Sequence, residues 1–96
     1  MLTAQNRAML KSIATNLKDL VFIGKDGLTE NVIKQINDNL YAHELIKIKV
    51  QRSVIEDISE LAKGIEEKCD SEVVSTIGSK ILVYKFSSNP KIKHLL

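Results

Sequence analysis

The chain has no tryptophan, one proline, one cysteine and four aromatic residues in a length of 96. Each scarcity removes a class of explanation. A lone cysteine, Cys69, closes no intrachain disulfide, so the fold must rest on its core, and the cytoplasm is the expected compartment. Cys69 itself reads as a small half-buried thiol. The two histidines, His43 and His94, belong to no Cys/His cluster with zinc spacing. His43 reads as a packing residue at a helix-to-strand junction. No apolar run is long enough to span a membrane, and the start, Met1 to Arg7, lacks the apolar core of a secretion signal. Carboxylates are plentiful, but none is paired in an apolar setting. No serine or cysteine nucleophile has a base and an orienting group in a recognisable pattern. The expectation is therefore a protein that is not an enzyme and uses no cofactor or metal. Phe22, Tyr41, Tyr84 and Phe86 are the only aromatics. Phe22 is expected in an interior strand, with Tyr84 and Phe86 beside the hairpin core, so no platform for stacking successive bases is expected.

What is present is patterned charge. The formal net charge is only +2. Yet Val54 to Glu72 holds seven acids and two bases, whereas the remainder holds twelve bases and five acids. A molecule polarised in this way offers a positive surface to a polyanion and repels it elsewhere.

Local signals give the order α-β-α-β-α-β-β. Thr3 caps a first helix reaching about Asn16, with Leu10, Ile13 and Leu17 as its buried stripe and Arg7, Lys11 and Lys18 as a basic stripe beside it. Leu20 to Ile23 reads as an interior strand covered on both faces. Thr29 caps a second helix reaching about Ala42, with Val32, Ile33, Ile36 and Leu40 facing the core. Ile46, Ile48 and Val50 alternate with Lys47 and Lys49, which predicts a strand with one apolar and one lysine face. Ser53-x-x-Glu56 reads as a capping box for a third helix, whose inner face is Val54, Ile58, Leu61 and Ile65. Glu72 to Ile77 and Ile81 to Phe86 are predicted strands joined by a turn at Gly78-Ser79. One domain over residues 1–86 is expected, with 87–96, which holds Pro90, as a loose tail. The fold class is α/β, with two layers and a four-stranded mixed sheet.

The most informative stretch is Phe22-Ile23-Gly24-Lys25-Asp26-Gly27-Leu28-Thr29-Glu30. It sets glycines and a cation just before a helix start, where free N–H groups and partial positive charge attract phosphate. Glycine lets backbone approach an anion without a Cβ in the way. It is neither a nucleotide P-loop nor a dinucleotide fingerprint, because the required glycine spacings are missing. Nor does it match the Gly-x-x-Gly clamp of KH domains, which lies between two helices.

Together with Leu17-Lys18 and His43-Glu44-Leu45-Ile46-Lys47-Ile48-Lys49, this stretch resembles the YhbY family, the stand-alone bacterial members of the CRM (chloroplast RNA splicing and ribosome maturation) class. The similarity runs from about residue 3 to 86. It implies a fold like the C-terminal domain of translation initiation factor three, RNA binding, and association with precursors of the large ribosomal subunit. The family's loop matches Gly24, Lys25 and Gly27. Its strand lysines match Lys47 and Lys49, and its first-helix basic positions match Lys11 and Lys18. Two positions depart: Asp19 stands where the family often has proline, and the lysine after the hairpin glycine is displaced by one residue to Lys80. These readings converge on a monomer that grips the sugar–phosphate of folded RNA, with no membrane partner. The alternative is an adaptor that docks basic ribosomal proteins on the acidic third helix.

Overall fold

The computed structural model describes residues 2–96; Met1, the first residue of the expected domain, lies outside them. Helix α1 (Ala4–Ala14) opens on a reciprocal cap: the Asn6 N–H donates to Thr3 Oγ1 at 3.0 Å and the Thr3 N–H donates to Asn6 Oδ1 at 3.2 Å. This satisfies two of the donors that a helix start leaves free. Strand β1 (Asp19–Ile23) leads to α2 (Glu30–His43), capped by Thr29, which accepts from the Val32 N–H at 3.2 Å. Strand β2 (Leu45–Val50) follows after one residue, Glu44, whose φ of 70° reverses the chain. Ser53-x-x-Glu56 does not form the expected capping box. It lies inside a 3₁₀ segment, Arg52–Asp57, where the Gln51 amide engages the Ser53 hydroxyl at 2.6 Å. Helix α3 (Ile58–Cys69) therefore starts later, on Asp57, with no side-chain cap. Strands β3 (Glu72–Ile77) and β4 (Lys80–Tyr84) form the expected hairpin, with Gly78 at φ 58° in its turn.

The four strands form one mixed sheet in the order β1-β2-β4-β3, with β1 and β2 parallel and the other pairs antiparallel. This is the mixed α/β fold expected from the sequence. The order corrects one element, because β1 is an edge strand and not an interior one. Only Val21 and Ile23 enter the core from it, while Phe22 stays 53% exposed. The strand buried on both faces is β4, inserted between β2 and β3, whose Ile81, Leu82, Val83 and Tyr84 are all buried. A short apolar run reports burial tendency only; the position of a strand in the sheet depends on pairings made from afar.

Alternation divides the core in two. Ile46, Ile48 and Val50 of β2, with Ile81 and Val83 of β4, pack against Ile36 and Leu40 of α2 and Ile65 of α3. On the other face Leu45, Leu82 and Tyr84 meet Leu10 and Ala14 of α1. Helix α1 contacts β2 and β3 but makes little contact with β1, so the β1 side of this face is left without helical cover.

The expected loose tail is docked instead. Residues 87–96 form no helix or strand, yet the buried Glu44 carboxylate accepts from the Ser87 N–H at 2.9 Å and the Leu95 N–H at 3.0 Å, and meets His94 Nδ1 at 2.6 Å. Ser87 Oγ donates to Tyr41 O at 2.6 Å, and Leu95 packs into the α1 core. Burial pushes the Glu44 carboxyl up, but the two backbone donors and His94 outweigh it and hold the group below the usual carboxylate range. Burial raises the Cys69 thiol, partly offset by Lys85 nearby, which keeps it protonated and inert. His43 is exposed at the end of α2, not packed as expected.

Candidate nucleic-acid interface

The glycine loop is built by backbone bonds. The Gly27 N–H donates to Gly24 O at 3.0 Å, closing a tight turn, and Gly27 takes φ 69°. Lys25 and Asp26 ride exposed at its tip. The Gln51 N–H donates to Ile23 O at 2.8 Å and the Val50 N–H to Ser79 O at 2.8 Å. These bonds bring the loop, the residues after β2 and the hairpin turn to one end of the sheet. Glu30 already occupies the positive end of α2, so the loop's attraction for an anion rests on Lys25 and the glycine backbone.

A β-branched residue at φ 69° is strongly disfavoured. Gly27→Val is therefore expected to cost about 1–3 kcal/mol, seen as a lower thermal midpoint. A midpoint within about 2 °C of the wild type would show that the turn adapts without strain.

Lys47 and Lys49 project from β2 on the face that α1 only partly covers. Lys47 lines a hollow of about 210 Å³ together with Lys11 of α1 and Lys80 of β4. Lys49 stands opposite Lys80 on one side and Phe22 on the other. Lys11, Lys47 and Lys49 thus border one uncovered sheet face, and the loop with Lys25 stands at its end. Among the described residues none of Lys11, Lys18, Lys25, Lys47 or Lys49 has an ion-pair partner. Their charge is available to a ligand.

Other cations are engaged, and this breaks up the expected basic stripe on the first helix. Arg7 donates to Val73 O at 3.1 Å and Val74 O at 2.9 Å and pairs with Glu72 at 2.7 Å, so it fastens α1 to β3. Lys18 lies beyond the end of α1, which stops at Ala14, and lines a separate hollow with Leu20, His43 and Leu95. The length of β1, five residues and therefore roughly 17 Å of extended chain, separates it from Lys25. Lys80 pairs with Asp19. The two departures from the resembled family thus neutralise each other on this face. Lys85 donates to Cys69 O at 3.1 Å and closes the end of α3 away from the lysine face.

The acids segregate. Glu56, Asp57, Glu60 and Glu67 are exposed along the 3₁₀ segment and α3, on the far side of the sheet. Glu66 accepts the Val73 N–H at 2.9 Å and Glu72 is held by Arg7, so both are structural. Among the described residues no helix is long and apolar enough to cross a membrane, and no group of His, Cys, Asp and Glu is placed to hold a metal.

Sequence reasoning missed Arg52, exposed beside Lys49 and Phe22, and missed the central place of Glu44. Arg52 carried no periodic signal, because it follows β2 in an irregular segment. Glu44 carried a faint one. A helix joined to a strand through a single residue requires an abrupt reversal, and an acid there must then be buried or expelled.

The sequence profile of the CRS1 / YhbY (CRM) domain matches residues 2–85. The chain is 38% identical over 91 residues to the probable RNA-binding protein YqeI of Bacillus subtilis, with 95% of each chain covered. It is 37% identical over 86 residues to a probable RNA-binding protein of Methanocaldococcus jannaschii, covering 88% of this chain and 63% of that protein. The solution structure of a hypothetical protein from Staphylococcus aureus superposes with a TM-score of 0.80 at 43% identity, covering 95% of both chains. A profile match over nearly the whole chain, on a four-stranded mixed sheet with three helices, places this protein in the CRS1/YhbY (CRM) domain family.

Proposed function

We propose that this protein binds structured RNA, specifically precursor ribosomal RNA during assembly of the large subunit in the cytoplasm, without catalysing a reaction. The observation that carries the reading is the group of unpaired lysines, Lys47 and Lys49 on a partly covered sheet face and Lys11 on the helix beside it, with Lys25 on an exposed glycine loop at its end. Relatives that bear the name of RNA-binding proteins support it. Ammonium groups on a sheet face and a loop suit phosphate and ribose rather than base edges, so the isolated domain discriminates little between sequences.

Counterion release supplies the test. With Lys18 included, five lysines neutralising one phosphate each give a slope of log affinity against log salt of about −3 to −5. Titrating a structured fragment of precursor ribosomal RNA from low to physiological salt measures it, and a flat response would remove RNA as the ligand. Crosslinking in cells with mapping of the RNA position tests the ribosomal target. Crosslinks concentrated outside large-subunit precursors would overturn that part alone.

A further inference from the structure

We infer that the hollow between Phe22, Arg52 and the β3–β4 turn seats one unpaired nucleotide of a folded RNA, with the Phe22 ring as its stacking surface. This rests on the RNA-binding reading and narrows its ligand from duplex to RNA that carries a bulged or looped-out base.

An exposed phenyl ring alone needs no explanation. Its surroundings do. Three aromatics are exposed: Phe22 at 53%, Tyr41 at 50% and Phe86 at 64%. The Phe86 ring is already stacked on His94 with centroids 4.2 Å apart, and Tyr41 lines the same concavity as Phe86, where Lys68 and Lys85 stand with Asp70, away from Lys25, Lys47 and Lys49. Phe22 alone of the three stands on the lysine-bearing face. Its neighbours in β1, Val21 and Ile23, point into the core, so the pleat turns Phe22 outward beside Lys49.

The hollow holds about 600 Å³, and Phe22, Lys49, Gln51 and Arg52 line it with the turn Gly78-Ser79. That volume lies within the roughly 300–1,000 Å³ typical of small-ligand sites. The wall chemistry matches the parts of a nucleotide. An aromatic face stacks any base. Lys49 and the planar Arg52 guanidinium flank it as cations for the adjoining phosphate. Gln51 donates its Nε2 to Ser53 at 2.6 Å, and its Oε1 accepts from no partner among the described residues, leaving an acceptor for the N–H edge of a base. Nothing lies within 4 Å of a Cβ built on Gly78, and one built on Gly24 would meet Gln51 Oε1 at 3.4 Å and the Phe22 ring at 3.6 Å, ordinary contact distances that put the glycine loop beside the hollow. The loop that carries Lys25 thus adjoins the ring, and a strand bound at Lys25 has the hollow within reach. A base inside a duplex stays stacked on its neighbours and presents only sugar–phosphate to such a site, whereas an unpaired base can leave the stack and enter.

The test compares a fully paired RNA hairpin with the same hairpin carrying a single-nucleotide bulge, for the wild type, F22L and F22W. Leucine keeps the apolar bulk and removes the π face. Tryptophan keeps the π face and, in a chain without tryptophan, adds a unique fluorophore. The wild type should prefer the bulged RNA. F22L should lose about tenfold on the bulged RNA, with paired-hairpin affinity and salt slope unchanged. F22W should retain the preference, with its emission quenched by the bulged RNA alone. Equal affinity of wild type and F22L for the bulged RNA overturns the inference, as does an equal loss on both RNAs. In either case salt-dependent binding of the paired hairpin leaves the broader reading standing. Failure of the wild type to bind either RNA would reject that reading and the nucleotide seat with it. The half-exposed position of Phe22 keeps the fold out of the comparison, which equal thermal midpoints verify.

Discussion

The double reversal K25E/K49E is expected to weaken binding of structured RNA by about 100-fold at physiological salt. Each lysine stands exposed, one on the glycine loop and one on the open sheet face. A charge-assisted contact to phosphate contributes on the order of 1.5 kcal/mol, close to tenfold in affinity, and two are removed together. The salt slope should also fall in magnitude by about 2, because two fewer counterions are released. Neither side chain touches the core, so the thermal midpoint should stay within about 2 °C. The opposite reversal, E56K/E60K on the acidic segment, should leave RNA affinity intact or slightly raised. If E56K/E60K abolished association with ribosomal particles while K25E/K49E did not, the acidic face would be the functional surface and the RNA reading would be wrong.

Glu44→Ala should destabilise the protein by about 3 kcal/mol. The substitution strips the acceptor from the Ser87 and Leu95 N–H groups and from His94. Each buried donor left unpaired costs about 1–3 kcal/mol. For a domain of this size the loss corresponds to a fall in melting temperature of roughly 12–24 °C, together with rapid proteolysis in residues 87–96. Glu44→Gly separates the side-chain contribution from backbone strain. It loses the same carboxylate but relaxes a φ of 70°, and so should be less damaged than the alanine variant by about 1 kcal/mol. The pH dependence has a definite sign. The folded protein holds the Glu44 carboxyl below its usual range, so the unfolded chain takes up its proton at higher pH than the folded one. The stabilisation is complete above the ordinary carboxylate value of about 4.3 and is lost as pH falls through the lower, folded value. Acid denaturation of the alanine variant should lack this component. A wild-type curve that is parallel to the variant's across the acid limb would show that the Glu44 anion does not hold the tail.

Much of the molecule was legible in the chain because its signals are local. Lys47 and Lys49 alternate with Ile46, Ile48 and Val50, and period two alone fixes one apolar and one charged face. Gly27 before a Thr29-capped helix gives the loop, and Gly78 gives the hairpin. The misread residues are those whose roles depend on distant partners. Arg7 looked like a surface cation and is spent on Glu72, 65 positions away. Lys80 and Asp19 find each other across 61 positions. Leu95 reaches Glu44 across 51, which no composition of a tail can announce. Phe22 looked like core because its neighbours are apolar, yet its strand lies at the sheet's edge.

The order of elements, the glycine turn with its lysine and the side of β2 on which charge appears all follow from spacing along one backbone. Which cations remain free, which aromatics face solvent and how the final ten residues are held emerge only once the chain has packed. Those outcomes depend on which strand pairs with which and on which acid meets which base, and in this chain such partners lie tens of residues apart.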